Sequence, residues 1–225
     1  PKSFNSQIGV PLSLWGMPED TEIGIFEAGI SQPHEMHHLA EILKPRFGIF
    51  TNIGSAHGEN FDSLEQKIEE KLKLFKDAEL LVFPADQPIL RKAIDSFASQ
   101  GELNLLTWSF EEHQARAWFQ ILAKTSAGTS FQFKSPEGHL KGFVPFTDEA
   151  SLQNVANALY LAIALGFEPE SLRAPLKSLG PIEMRLEMKE GHQNSLLIND
   201  AYNSDLESLR VALHFLQEHG KDRSR

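Results

Sequence analysis

The chain has 225 residues, 41% hydrophobic and 23% charged, with a formal charge of −10 at pH 7 and no cysteine. That length buries a sizeable core in one large or two modest domains, and the absent thiols exclude disulfides and thiolate metal sites, as suits a reducing cytoplasm. The acidic balance argues against a nucleic-acid coat, which needs a basic surface. No apolar run approaches the roughly 20 residues that span a bilayer, and no basic-plus-apolar signal opens the chain.

In chain order, Ile8-Gly9-Val10-Pro11-Leu12 leads into a short apolar helix ending near Trp15. Glu22 to Phe26 reads as a strand, with Glu27-Ala28-Gly29 as the turn at its carboxyl end. Ser31 or Gln32 is placed to cap a helix with Pro33 at its first position, running to about Leu43, where Lys44-Pro45 stops it. A strand at Phe47–Phe50, a helix at Ser63–Lys76, a strand at Leu80–Phe83 and a helix at Ile89–Ser99 follow. This alternation is that of βαβ units and predicts a mostly parallel sheet flanked by helices.

Near residue 103 the pattern changes to short strands rich in aromatic and β-branched residues: Leu103–Phe110, Ala117–Lys124, Ser130–Lys134 and Leu140–Phe146. Turns at Ala127-Gly128 and Pro136-Glu137-Gly138 predict a small antiparallel meander. Helices at about Asp148–Leu165 and Pro169–Ser178 precede the break at Gly180-Pro181. Arg185–Glu190 and Ser195–Ile198 read as strands, and a helix continues through Leu206, Leu209, Leu213 and Leu216, with Ser204 and Glu207 matching a capping box.

Two segments carry the chemical signal. Thr51-Asn52-Ile53-Gly54-Ser55-Ala56-His57 follows an apolar strand directly, and ligands of open parallel sheets bind beyond the carboxyl ends of strands. In the 63–76 helix, Leu64, Ile68, Leu72 and Phe75 form an apolar stripe, and at about 100° per residue Lys71 projects inside it. Lys67 lies at the stripe's edge and Lys73 on the opposite side. An unpaired buried ammonium is costly, so Lys71 either snorkels outward or has a task facing the core. His34, His37 and His38, at i, i+3 and i+4, have a spacing that can bind a transition metal but lack a supporting ligand pattern, which leaves a solvated helix face.

An ordered set of stretches completes the reading: Asn5-Ser6-Gln7-Ile8-Gly9-Val10-Pro11, Glu27-Ala28-Gly29, Thr51 to His57, Glu70-Lys71-Leu72-Lys73-Leu74-Phe75, Asn154-Val155-Ala156-Asn157-Ala158, Arg185-Leu186-Glu187 and Asp200-Ala201-Tyr202-Asn203. Together they resemble the Mur ligase family, ATP-dependent amide ligases of cell-wall precursor synthesis. They are most similar to the type that joins D-alanyl-D-alanine to a UDP-N-acetylmuramoyl-tripeptide. The resemblance implies a central ATP-binding domain over residues 1–182, with residues 183–225 a linker and the first β-α unit of a Rossmann-like C-terminal domain. It also implies a cytoplasmic enzyme using ATP and Mg²⁺.

On that resemblance Glu27 is a Mg²⁺ ligand, where its position alone favours a solvated turn carboxylate. His57 is an imidazole ligand to a second Mg²⁺, where its type alone favours a structural histidine. Lys71 is the lysine that the family carbamylates with CO₂, giving an anionic oxygen ligand, with Lys67 the less favoured candidate. Asn52, Asn157 and Arg185 resemble nucleotide contacts, against the alternatives of a helix-surface amide for Asn157 and a strand-edge ion pair for Arg185. Asp200, Tyr202 and Asn203 resemble the segment that closes over the nucleotide, and Asn5 a contact to the UDP-linked substrate.

The sequence departs from the family pattern in three places. No Gly-Thr-x-Gly-Lys-Thr phosphate loop precedes Ser3-Phe4-Asn5, Asn199 stands where many relatives have Asp, and Gly58-Glu59-Asn60 replaces a commoner Leu-Glu-Gly. The expectation is therefore a fragment, inactive by itself. A non-catalytic scaffold of the same fold and a folylpolyglutamate-type ligase are the alternatives.

Overall fold

A computed structural model describes residues 4–54, 60–180, 182–202 and 206–220. Packing divides the chain into two compact units, 1–108 and 109–225.

The first unit holds α1 (Gly9–Trp15), α2 (Glu35–Leu43), β1 (Phe47–Ile49), α3 (Leu64–Leu72), β2 (Leu80–Pro84), α4 (Pro88–Ala98) and β3 (Asn104–Ser109, whose last residue belongs to the second unit). β1 pairs parallel with β2, Phe47 opposite Leu80, and β2 pairs parallel with β3, Leu80 opposite Asn104. All five residues of β2 are buried, the mark of a parallel strand covered on both faces. Ile68 and Leu72 of α3 and Leu90 and Ile94 of α4 pack with Leu81 and Phe83 of β2 in one cluster, and Val10, Met36 and Leu39 of α1 and α2 form another. Gly48 is required where the 3₁₀ turn Lys73–Phe75 meets β1: a Cβ there would lie 2.4 Å from Phe75 Cε1.

Three expectations are corrected. The strand expected at 103–110 with the antiparallel meander is β3, which extends the parallel ladder beside β2, because its backbone meets β2 in parallel register. Glu22–Phe26 forms no strand among the described residues, and Ile23 and Ile25 stand 70% and 94% exposed. An alternating pattern becomes a strand only where a neighbour supplies a hydrogen-bond ladder. α2 begins at Glu35 behind His34, which is left-handed at φ 71°, instead of being capped by Ser31 or Gln32. Glu35 Oε2 accepts from the backbone N–H of Ser31 (2.6 Å) and Gln32 (3.0 Å), which takes those donors before the helix starts. α3 begins as expected, Ser63 Oγ accepting from Gln66 N at 3.1 Å.

The second unit contains the meander β4 (Ala117–Thr125), β5 (Gly128–Ser135) and β6 (Gly138–Val144), then α5 (Glu149–Ala164), α6 (Arg173–Lys177), β7 (Glu187–Glu190), β8 (Leu196–Asn199) and α7 (Leu206–His219). β4–β5 and β5–β6 are antiparallel. Their buried face stacks Phe119 on Phe131 at 4.6 Å, and Phe133 meets Tyr160 of α5 edge-on at 5.3 Å. Glu137, in the β5–β6 turn, accepts from Tyr160 Oη at 3.2 Å and pairs with Arg116. Asp148 Oδ1 caps α5 through Ser151 N at 2.8 Å. Gly128 adopts φ +140°, and a Cβ there would lie 2.2 Å from the Val144 carbonyl oxygen.

The expected 169–178 helix is a 3₁₀ turn, Pro169–Leu172, running into the five-residue α6. β7 starts at Glu187 instead of Arg185, because Met184 and Leu186 take φ 60° and 46° and break the extended run. β7 and β8 form a separate two-stranded antiparallel pair. The Ser204 capping box falls outside the described residues. Among the described residues no helix is long and apolar enough to cross a membrane.

Candidate functional site

In the first unit the site is built from the chain before α1, the Glu27 turn, the end of β1 and the inner face of α3. Asn5 clamps the turn twice: its carbonyl accepts from Gly29 N at 2.8 Å, and its Nδ2 donates to Glu27 Oε1 at 2.8 Å. Glu27 and Asn52 are solvent-exposed, and Ile53, beside Asn52, is buried, its N–H donating to Gln87 Oε1 at 3.2 Å.

Lys71 is half-buried on α3. Its ammonium is held below the usual lysine pKa, first by burial and then by the charge of Lys67, while the Glu27 carboxylate acts the other way. Glu27 and Lys71 are two of the three residues expected to converge. The third, His57, falls outside the described residues. Among the described residues no group of three His, Asp or Glu is placed to hold a metal ion. The histidines of α2 behave as a solvated face, with His37 Nε2 3.1 Å from Glu41 Oε1 and both side chains more than half exposed.

Three residues that sequence reasoning did not assign to the site frame it. Lys67 is only 4% exposed, and its Nζ donates to the Gly54 carbonyl at 2.7 Å. Glu70 is equally buried; Oε1 accepts from Met36 N at 3.3 Å and Oε2 pairs with Lys73 Nζ. Gln87, at the N-cap of α4, holds the turn through Ile53. Hydrophobic periodicity put Lys67 at the edge of the apolar stripe without marking it as buried, and no sequence pattern marked Glu70 or Gln87.

In the second unit, Arg185, Asp200 and Tyr202 come together. Asp200 Oδ1 accepts from Leu186 N at 3.1 Å, Tyr202 N donates to the Met184 carbonyl at 3.1 Å, and the Arg185 guanidinium lies 4.6 Å from the centre of the Tyr202 ring. Asn203 lies outside the described residues. Asn157 is no surface amide: it is 1% exposed on α5, next to buried Val155 and Ala156, where a side-chain amide needs polar partners.

A hard cation such as Mg²⁺ takes oxygen ligands. Glu27 supplies a carboxylate of the right chemistry at the exposed rim. An amine does not serve that cation; the Lys71 side chain fits only after conversion to an oxygen-bearing group, for which an amine of lowered basicity is suited.

Residues 1–164 match the Mur ligase middle domain family. The UDP-N-acetylmuramoyl-tripeptide–D-alanyl-D-alanine ligase of Bacillus subtilis is 30% identical over 225 residues, covering 97% of this chain and 47% of that protein. Among solved structures, MurF from Acinetobacter baumannii superposes with a TM-score of 0.85 at 21% identity, over 97% of this chain and 48% of that one. MurF ligase from Thermotoga maritima in complex with ADP gives 0.81 at 24% identity, over 96% and 49%. At these identities the superpositions speak for the fold. The chain spans about half the length of the relatives it matches.

Proposed function

Because the chain belongs to the Mur ligase family, we propose that it is part of an ATP-dependent amide ligase of peptidoglycan precursor synthesis, joining UDP-N-acetylmuramoyl-tripeptide to D-alanyl-D-alanine in the cytoplasm. Residues 1–182 are the central domain and 183–225 the linker and opening β-α unit of the C-terminal domain. The observation that carries this reading is Lys71: an amine in a mostly apolar helix face, lowered in basicity, within reach of the Glu27 charge.

The reaction converts a carboxylate to an acyl phosphate with the γ-phosphate of ATP, and an amine then displaces phosphate. Mg²⁺ supplies charge neutralisation at the transferring phosphoryl group. Glu27, His57 and the carbamate of Lys71 are the groups that would hold it. Asn5 orients the Glu27 carboxylate. Asn52, Asn157 and Arg185 serve the nucleotide, as do Asp200, Tyr202 and Asn203. Arg185 is exposed and mounted on an aromatic ring, as a guanidinium recognising phosphate would be.

The test is phosphate release from ATP that requires both the tripeptide nucleotide and the dipeptide. A longer parent carrying a Gly-Lys-Thr loop should show it, and the 225-residue chain, whose sequence has no such loop, should not. Lys71→Ala and Glu27→Ala should each lower the parent's rate by at least about 100-fold, the scale of losing one group that stabilises transferring charge. Undiminished turnover in both variants would refute the assignment, and turnover only of a folate with glutamate would move the chain to another branch of the family.

A further inference from the structure

Among the described residues of the first unit's site, Lys67 is the most buried cation. It sits one helical turn before Lys71 on α3, so the two side chains leave the same face with Cβ atoms about 6 Å apart. A lysine 4% exposed has given up most of its hydration, and one compensation is visible: the 2.7 Å bond from Nζ to the Gly54 carbonyl. That bond joins α3 to the turn after β1, the turn that carries Asn52 and leads toward His57. The turn's other tether is Gln87 to Ile53 N. One short polar segment is thus pinned from two helices, at adjacent residues.

We propose that Lys67 is a positioning residue of this site, with a mechanical and an electrostatic part. Its hydrogen bond fixes the 51–54 turn against α3, and its positive charge favours an anion at the tip of Lys71. The proposal rests on Lys71 being the residue that takes up CO₂. In that step the Lys71 nitrogen lone pair forms an N–C bond to CO₂, one C=O π pair moves onto oxygen, and the nitrogen loses a proton to solvent. A neutral amine becomes a carbamate anion with no redox change. A fixed cation one turn away stabilises the product charge, where an apolar side chain of the same length does not. The fold therefore places two lysines on one face with different tasks: Lys71 is modified, and Lys67 is held to the Gly54 carbonyl. Glu70, the neighbouring buried carboxylate, is directed instead at Met36 N and Lys73.

The experiment compares the 225-residue chain with Lys67→Met, Lys67→Arg and Lys71→Met. Each is equilibrated with ¹³C-bicarbonate and read by ¹³C NMR for a carbamate resonance, and each is read by amide hydrogen exchange. The carbamate resonance should appear in the parent chain and vanish in Lys71→Met. It should fall about threefold in Lys67→Met, the bulk-water figure for unit charges as far apart as the two Cβ atoms, about 6 Å, and return in Lys67→Arg. The Ile53 and Gly54 amides should exchange faster in Lys67→Met while Leu81 and Phe83 in β2 keep their protection, which separates a local release from general loosening. An unchanged resonance together with unchanged exchange at 53–54 overturns the proposal. No resonance in the parent chain overturns the electrostatic part along with the carbamate reading of Lys71, and the exchange arm still decides the tether by itself.

Discussion

Glu70 locks α3, the helix bearing Lys67 and Lys71, to the start of α2, and its removal has a size that the structure sets. Oε1 accepts from Met36 N at 3.3 Å between residues 4% and 1% exposed. In Glu70→Ala that amide loses its acceptor in a dry place, at about 1–3 kcal/mol. Losing the buried methylene contacts adds about 1 kcal/mol. Lys73, whose side chain is 42% exposed, turns to water when its partner goes, so the ion pair contributes at most about 1 kcal/mol. The 3.3 Å length puts the amide term in the lower half of its range, which gives about 2–4 kcal/mol in all. Glu70→Gln keeps the acceptor and the volume and should cost about 1 kcal/mol or less. Urea denaturation followed by circular dichroism reads both values, and in a chain of this size each kcal/mol shifts the melting midpoint by about 2–4 °C. An alanine variant within 0.5 kcal/mol of the parent, or glutamine as damaging as alanine, would refute the reasoning.

Three further outcomes follow from other contacts. Glu137→Ala and Tyr160→Phe should couple by about 1 kcal/mol in a double-mutant cycle, because the Tyr160 hydroxyl is buried against that carboxylate; additivity within 0.3 kcal/mol would contradict the bond. Gly128→Ala should cost about 2 kcal/mol or more from its φ of +140° and the Val144 carbonyl in its way; a variant melting with the parent would show that the strand relaxes freely. Lys71→Met should be more stable than the parent at pH 7. The folded-state pKa lies below the unfolded 10.5, so between those two values only the unfolded chain keeps the proton and the parent gains stability as pH rises. The gap between variant and parent should therefore narrow as pH approaches 10.5, and a gap that widens in urea titrations across that range would reverse the sign of the argument.

What the sequence made legible is the part governed by local rules. Ser63 began the α3 reading, Asp148 lies at the cap of α5, and glycine and proline at 128 and 136 bounded β5, because capping and turn geometry are decided within a few residues. Glu22–Phe26 was misread because a strand is a property of two segments, and its own alternation says nothing about a partner. The start of α2 was misplaced because Glu35 reaches back over four residues, competing with the caps that spacing favoured. Lys71 was marked by its place in an apolar stripe, while Arg185, Asp200 and Tyr202 were marked by family likeness alone; no periodicity links residues 15 to 17 apart across a hairpin. The burial of Lys67 and Glu70 was not legible because it involves long-range bonds to Gly54 and Met36 that local spacing does not show.

The short helix α1 leaves Trp15 89% exposed, whereas Trp108 is fully enclosed and Trp118 lies under the Lys134 ammonium at 5.1 Å. The native fluorescence of the chain is consequently a mixture, with a red-edge, iodide-quenchable component belonging to the N-terminal segment and a shielded component reporting the interior. Any macromolecule that settles on α1 would shift the first toward the blue and protect it from quencher while leaving the second alone, so the protein carries an unlabelled optical sensor for events at that one surface.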